Sequence, residues 1–169
     1  MPRSRLKDYA TMYEELTGSS DRALGILAAT YLEENLLDAI IDKLRVSNKK
    51  IADELVGNGS PLGTFSNKIM MAEAIALIGP NTRGDCDRIR KIRNECAHEI
   101  NPIDFTIGKI SDLVKALSPR RWGGLAFETP SLPDDPRKRY IEACQKISDA
   151  LYSGIPQEED NWQTDQVLE

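Results

Sequence analysis

The feature that most constrains this 169-residue sequence is one long apolar stripe in its N-terminal half. Apolar residues recur there at the i, i+3 and i+4 spacing of an α-helix, with Ser19 or Ser20 as N-cap and Asp21 in the first turn. The helix is predicted to run to Arg45, which makes it about 25 residues and almost 40 Å long. A helix of that length spans a whole domain and offers a surface to a partner chain. The stripe consists of Leu24, Leu27, Ala28, Tyr31, Leu32, Asn35, Leu36, Ala39, Ile40 and Leu44.

Helical periodicity continues through the rest of the chain, and no long stretch alternates with a period of two. Glycine and proline clusters separate the segments, and residues 118–133, with three prolines and Gly123-Gly124, are predicted to be an irregular loop. The sequence therefore predicts an all-α fold, a single compact domain of six or seven helices. Besides the long helix, the predicted helices are 6–16, 49–56, 64–78 (apolar nearly all round, so expected to be central and buried), 82–98, 104–117 and 134–152.

The negative charge of the chain is concentrated at its C-terminus. Lys and Arg number 22 and Asp and Glu number 27, which gives a net charge of −5. Residues 153–169 contain five acidic residues and no basic one, so residues 1–152 carry 22 of each sign. We therefore divide the chain into an all-α domain, 1–152, and an acidic tail, 153–169. A neutral domain argues against binding nucleic acid through bulk positive charge.

Several classes of protein are not expected from the composition. No apolar run approaches the roughly 20 residues of a membrane span. One histidine and three cysteines without a CxxC pair argue against a structural zinc site, and neither a metal nor a cofactor is predicted. Cys86, Cys96 and Cys144 are interpreted as reduced thiols that fill the core of a cytoplasmic protein.

The segment from Arg90 to Glu99 contains the residues most able to carry chemistry. On an ideal helix Arg93 falls in the middle of an apolar face, where a guanidinium requires a carboxylate, carbonyls or a bound anion. One interpretation is structural: Arg93 pairs with an internal acid, namely Glu33, Glu34 or Glu73.

The other interpretation of this segment is functional. Arg90, Arg93 and Asn94 would bind a phosphate, and His98, the only histidine of the chain, would transfer a proton. His98 points about 140° away from Arg93 on an ideal helix. The two residues can share a site only if the helix ends or distorts near Ala97, or if a second subunit completes the site.

Three blocks of sequence resemble the mannitol operon repressor family. They are Ser20-Asp21-Arg22-Ala23, then 60–69 (SPLGTFSNKI), then 89–98 (IRKIRNECAH), and the resemblance covers roughly residues 15–117. It implies a compact all-α transcriptional regulator of sugar-alcohol uptake genes without a DNA-binding domain of its own. Such a regulator would act through a protein partner of a transcription or signalling system, and we expect a homodimer formed through the long helices.

The spacing of Arg93-Asn94 and His98 also resembles the Arg-x4-6-His signature of HEPN domains. This second resemblance implies a dimeric, metal-independent ribonuclease or toxin in which Arg93, Asn94 and His98 are catalytic and RNA is the substrate. A catalytically inactive HEPN-like antitoxin or scaffold is a third alternative.

Overall fold

The computed structural model describes residues 9–57, 59–118 and 132–153, and these residues form seven α-helices and no strand. The all-α, single-domain prediction is thereby confirmed. The helices are α1 (Tyr9–Gly18), α2 (Asp21–Lys43), α3 (Lys49–Val56), α4 (Phe65–Ala74), α5 (Pro80–His98), α6 (Gly108–Lys115) and α7 (Pro136–Ser153).

The helix starts follow from capping residues in the sequence. Ser20 caps α2 by accepting a hydrogen bond from the Ala23 N–H, and Thr64 caps α4 in the same way through the Asn67 N–H. A side-chain oxygen at this position satisfies a backbone donor that the helix itself leaves unpaired. Helix α5 starts differently from the prediction, with Gly79 as N-cap and Pro80 in its first turn, where a missing N–H costs nothing.

Helix α2 is the central element of the fold. It packs most extensively against α7 and α5 and also contacts α4 and α1. Its buried face confirms most of the predicted stripe, but Leu27 and Leu44 are each 40% exposed. The long helix is thus largely covered within its own chain, which leaves little of it for the partner surface expected from its length.

Helices α2, α5 and α7 pack closely together around Gly25. A Cβ atom at this position would lie 2.2 Å from the Cys96 Sγ atom of α5, so only glycine allows this approach of the two helices. On the other side, the buried Tyr140 hydroxyl of α7 donates to the Gly25 carbonyl at 3.0 Å. Further along, the Asn35 side chain donates to the Ser148 hydroxyl at 3.2 Å, so α7 runs parallel to α2.

Three arginines hold the C-terminal ends of helices other than their own. Arg22 donates to the carbonyls of Cys96 and Asn101, at 2.6 and 2.8 Å, beside the end of α5. Arg137 donates at 2.7 Å to the Ser19 carbonyl, just beyond α1, and also pairs with Asp21. Arg139 donates to the carbonyls of Val114 and Leu117, at 3.1 and 2.8 Å, at the end of α6. Guanidinium groups thereby satisfy carbonyls that would otherwise lack partners.

Several predicted helix bounds were wrong, and backbone geometry explains two of them. Helix α4 ends at Ala74 rather than Ile78, and Ala76 adopts a φ of 53°. Helix α6 begins at Gly108, four residues after the predicted start, because Gly108 has a φ of 63°. A left-handed residue interrupts a right-handed helix. Nor is α4 buried all round, since Met70 is 56% exposed.

The described cysteines agree with the expected core thiols. Cys86, Cys96 and Cys144 are all free and buried. Burial raises the pKa of the Cys96 thiol to about 11 and that of the other two still higher, so the thiol form is favoured. Within the described ranges, no helix is both long and apolar enough to cross a membrane. The predicted start at Leu6, almost all of the loop and all of the tail except Ser153 lie outside the described residues.

Candidate functional site

Arg93 belongs to a largely buried cluster of charged side chains contributed by three helices. The Glu33 carboxylate of α2 accepts a hydrogen bond from the Lys68 Nζ of α4 at 2.7 Å. Its other oxygen lies 3.2 Å from the Arg93 Nη1 of α5. The side chains of Lys68 and Glu33 are only 7% and 11% exposed, whereas that of Arg93 is 35% exposed. We call Glu33, Lys68 and Arg93 the charged cluster.

The structure shows which of the three proposed acids pairs with Arg93. Glu33 is the partner, whereas Glu73 pairs with Arg83. Arg93 itself lies at the margin of the buried face of α5 rather than in its middle: Ile89 and Cys96 are fully buried, but Ala97 is exposed. Two cations share one carboxylate, so the cluster carries a formal charge of +1 and its open side is the Arg93 guanidinium.

The sequence did not lead us to Lys68, although its position in the sequence contains the signal. The buried residues of α4 are Phe65, Lys68, Ile69 and Ala72, which follow the i, i+3, i+4, i+7 spacing of a single helix face. A lysine on that face must find an anion, because an unpaired charge is expensive to bury. Glu33 on the buried face of α2 is the matching acid.

Asn94 and His98, the other predicted catalytic residues, are exposed, and His98 is the last residue of α5. The helix is regular up to this point, since the Glu99 N–H donates to the Glu95 carbonyl at 2.9 Å. The helix neither ends before His98 nor distorts near Ala97, so His98 keeps its ideal-helix direction, well away from that of Arg93. A shared site for Arg93 and His98 therefore requires a second subunit.

The basic residues of α5 are mostly neutralised by acids on the same or a neighbouring helix. Arg90, predicted to bind a phosphate, lies 3.4 Å from Asp87. Arg83 pairs with Glu73, and Arg88 lies 2.9 Å from Asp85. This arrangement is typical of a solvent-exposed helix face with several ion pairs rather than of a surface that binds nucleic acid.

Asp85 differs from the other acids of α5 because it is buried. Its carboxylate accepts hydrogen bonds from the Arg88 side chain at 2.9 Å and from the Ser118 N–H at 3.2 Å. Burial nevertheless raises the pKa of Asp85 to about 6, against the opposing effects of these two partners. Asp85 thus connects α5 to Ser118, three residues beyond the end of α6.

The segment between α5 and α6, residues 99–107, is held in place by polar anchors; we call it the α5–α6 loop. The Asp21 carboxylate accepts from the Phe105 N–H at 2.9 Å, and the Glu99 carboxylate accepts from the Asn101 N–H at 3.0 Å. Phe105 is fully buried, with its ring edge-on to that of Tyr140 at a centroid distance of 5.3 Å.

Two isoleucines of the same loop point away from the core. Ile100 is 95% exposed and Ile107 is 67% exposed, the two highest values among the exposed large apolar residues of the described chain. Neither was singled out from the sequence. The helix ends at His98, so its periodicity does not reach Ile100. Among the described residues, no three His, Cys, Asp or Glu side chains come together to hold a metal ion.

Comparison with known proteins identifies a similar fold. The chain is similar to a solved structure described as the MtlR–HPr complex from Escherichia coli, with a TM-score of 0.60 and 16% sequence identity. The match covers 80% of this chain and 92% of the other. No protein-family model matches the chain, and no curated protein matches it. At this identity the similarity establishes the helical fold.

Proposed function

We propose that this protein is a transcriptional regulator that acts by binding a protein partner. The observation that carries the proposal is the shared fold with MtlR, which was crystallised as a complex with HPr. The three sequence blocks that resemble the mannitol operon repressor family support it independently, because they include Arg22 and Lys68 as well as Arg93. Two of these residues belong to the charged cluster, and Arg22 anchors the α5–α6 loop.

The charges of the domain also favour a protein partner over a nucleic acid. Arg83, Arg88, Arg90 and Arg93 are each paired with an acid, and residues 1–152 are formally neutral. Binding to a nucleic acid backbone relies instead on basic side chains that are free to contact phosphates.

Calorimetric titration of the full chain with purified HPr from E. coli tests the proposal. We expect saturable binding. Deleting the gene should also change transcription of a defined set of genes, and the pure protein alone should not shift the corresponding promoter DNA. No heat of binding from a protein shown to be folded, together with a promoter shift by the pure protein, would overturn the proposal.

A metal-independent ribonuclease is the second candidate. What favours it is that Arg93, Asn94 and His98 are all reached by solvent, with the Arg93 side chain 35% exposed. A second subunit would have to bring His98 to Arg93, so this proposal includes a homodimer. In it, Arg93 holds the phosphate beside the scissile bond while His98 transfers a proton.

Incubation of the pure protein with a mixed RNA in EDTA separates the two candidates. The ribonuclease predicts cleavage with a cyclic phosphate product, lost in Arg93→Ala and in His98→Ala. Because His98 is exposed, His98→Ala should fold normally, and Lys91→Ala, another exposed residue of α5, is the matched control. Absence of cleavage by a folded protein leaves the regulator as the proposed function.

The homodimer and the cytoplasmic location are part of the proposed function. Helix α2 keeps one exposed strip, which includes Leu27, Thr30 and Glu34, and a homodimer formed through the long helices would use it. Light scattering coupled to size exclusion measures the mass directly. The three buried free thiols support a reducing compartment.

A further inference from the structure

We infer that the α5–α6 loop is the surface through which this protein contacts its protein partner, and that the partner presents an apolar pocket bordered by basic side chains. The inference rests on the proposed function and adds the binding surface to it. Ile100 would be the side chain that enters the pocket, and Glu99 and Asp104 would face the basic border.

The first step of the argument is the exposure of Ile100. At 95%, nearly the whole side chain is in water. The loop has apolar side chains that do serve the fold, since Phe105 is fully buried and Ile103 packs against the core. Ile100 and Ile107 are not needed for that purpose. Both lie on one short loop, and exposed apolar side chains that are grouped rather than scattered singly mark interaction sites.

The second step is the rigidity with which the loop holds Ile100. The residue lies between the two carbonyls, of Cys96 and Asn101, to which the Arg22 guanidinium donates. Glu99 accepts hydrogen bonds from both the backbone N–H and the side chain of Asn101, each at 3.0 Å. Little conformational freedom remains to be lost on binding, which favours affinity.

The third step is the charge beside Ile100. Glu99 and Asp104 are both exposed, and neither forms a salt bridge with any part of the chain that the structure describes. Each carboxylate is instead held by hydrogen bonds within the loop, Asp104 through the Thr106 N–H at 2.7 Å and the Thr106 hydroxyl at 2.6 Å. These donors lower the pKa of both groups. Ile100 directly follows one hydrogen-bonded carboxylate and shares its loop with a second, and this combination complements an apolar pocket with a basic border.

Another exposed apolar surface, on α3, lacks two of these properties. Ile51 is 49% exposed and Val56 is 36% exposed, and α3 has no buried residue. Neither side chain approaches the exposure of Ile100, and the exposed charges of this helix are of both signs, with Lys50 4.0 Å from Glu54. It therefore supplies matched control positions.

Titration of full-length variants with purified HPr from E. coli tests the inference. Ile100→Ser and Glu99→Lys should each weaken binding about tenfold or more, because a central apolar anchor and a complementary charge are lost. Ile51→Ser and Glu54→Lys, on α3, should change the affinity less than twofold. Binding should also weaken as salt concentration rises.

The outcomes separate the inference from the proposed function. If the wild type binds HPr and the loop variants bind equally well, the loop is not the contact surface and the inference is overturned while the proposed function stands. If the folded wild type does not bind HPr, the inference is overturned, and the proposed function fails with it when the pure protein also shifts the promoter DNA. If Ile100→Ser converts a dimer into a monomer, the loop contacts a second copy of the chain, and the assignment to a different protein is wrong.

Discussion

The charged cluster and the α5–α6 loop are connected by a single helix, α5, and each reverses the usual placement of its residue types. Lys68 and Glu33 are charged yet almost completely buried, whereas Ile100 is aliphatic yet 95% exposed. The buried charges are paired with one another and need nothing from outside the chain. The exposed isoleucine has no counterpart in the described chain. A buried charge or an exposed aliphatic side chain thus indicates an interaction with another molecule only where the domain itself supplies no partner for it.

The largest effect that would test this comparison is expected from Glu33→Ala. The substitution leaves the buried Lys68 ammonium without an anion, and breaking a buried pair in this way costs about 3–5 kcal/mol. The free energy of unfolding from urea titration measures the loss. Glu34→Ala, at an exposed position next to it, is the control. A loss below about 1 kcal/mol would show that water reaches the cluster and that its burial does not matter.

Asp85 is expected to give the next largest effect, and it depends on pH. Its folded-state pKa, about 6, lies above the value of about 3.9 of an unfolded aspartate. The folded state therefore holds this proton to a higher pH, and the stability that it contributes is present below pH 4 and lost as the pH rises through 6. Asp85→Asn abolishes the titration while it keeps an acceptor for the Ser118 N–H.

The measurement is the difference in unfolding free energy between the wild type and Asp85→Asn. It should move in favour of the variant by about 2–3 kcal/mol between pH 4 and pH 6.5. Asp87→Asn, at a partly exposed neighbouring position, is the matched control. A constant difference across the range would mean that Arg88 and Ser118 compensate fully for burial.

A smaller effect, about 1–3 kcal/mol, is expected from Gly25→Ala, because the added methyl group overlaps the Cys96 Sγ atom and overpacks the crossing of α2 and α5. This crossing fixes the position of α5, the helix that connects the charged cluster to the α5–α6 loop. In a Cys96→Ala background the cost of Gly25→Ala should fall by at least half, since the atom that it meets is gone. Equal costs in the two backgrounds would mean that the helices separate instead.

The smallest effect on stability should come from Ile100→Ser. A residue that is 95% exposed contributes within about 0.5 kcal/mol to folding. Chemical denaturation should compare this variant with Ile92→Ala. Ile92 is buried, and its truncation is expected to lower the free energy of unfolding by about 2–5 kcal/mol. A loss above 1.5 kcal/mol in Ile100→Ser would place the side chain in the core and remove the contrast between the two regions.

Much of the fold could be predicted from the sequence because helix periodicity and capping are local signals. Ser20 was one of two candidate caps for the long helix and does cap α2, and the start predicted at Thr64 is the cap of α4. What could not be predicted depends on backbone conformation at single residues. The φ of 53° at Ala76 ends the α4 segment early, yet alanine is among the best helix formers.

The candidate site was predicted only in part, because its contacts join distant parts of the chain. Periodicity placed Arg93 on an apolar face, where it needs a partner, and three acids were candidates for that partner. Only the packing of α2 against α5 shows that the partner is Glu33. Lys68 carried a readable signal in its helical spacing. Ile100 did not, because it lies in a loop beyond the end of α5, where no periodicity indicates which side chains are exposed.

The arginines at the helix ends have a consequence for how the molecule opens. Arg22, Arg137 and Arg139 belong to α2 and α7, and they hold the ends of α5, α1 and α6. The last turn of a helix ordinarily frays on its own, but here it can release its carbonyls only by detaching from another helix. Hydrogen exchange at these ends should therefore follow subglobal opening of the two holding helices rather than local fraying, which couples most of the domain into one cooperative unit.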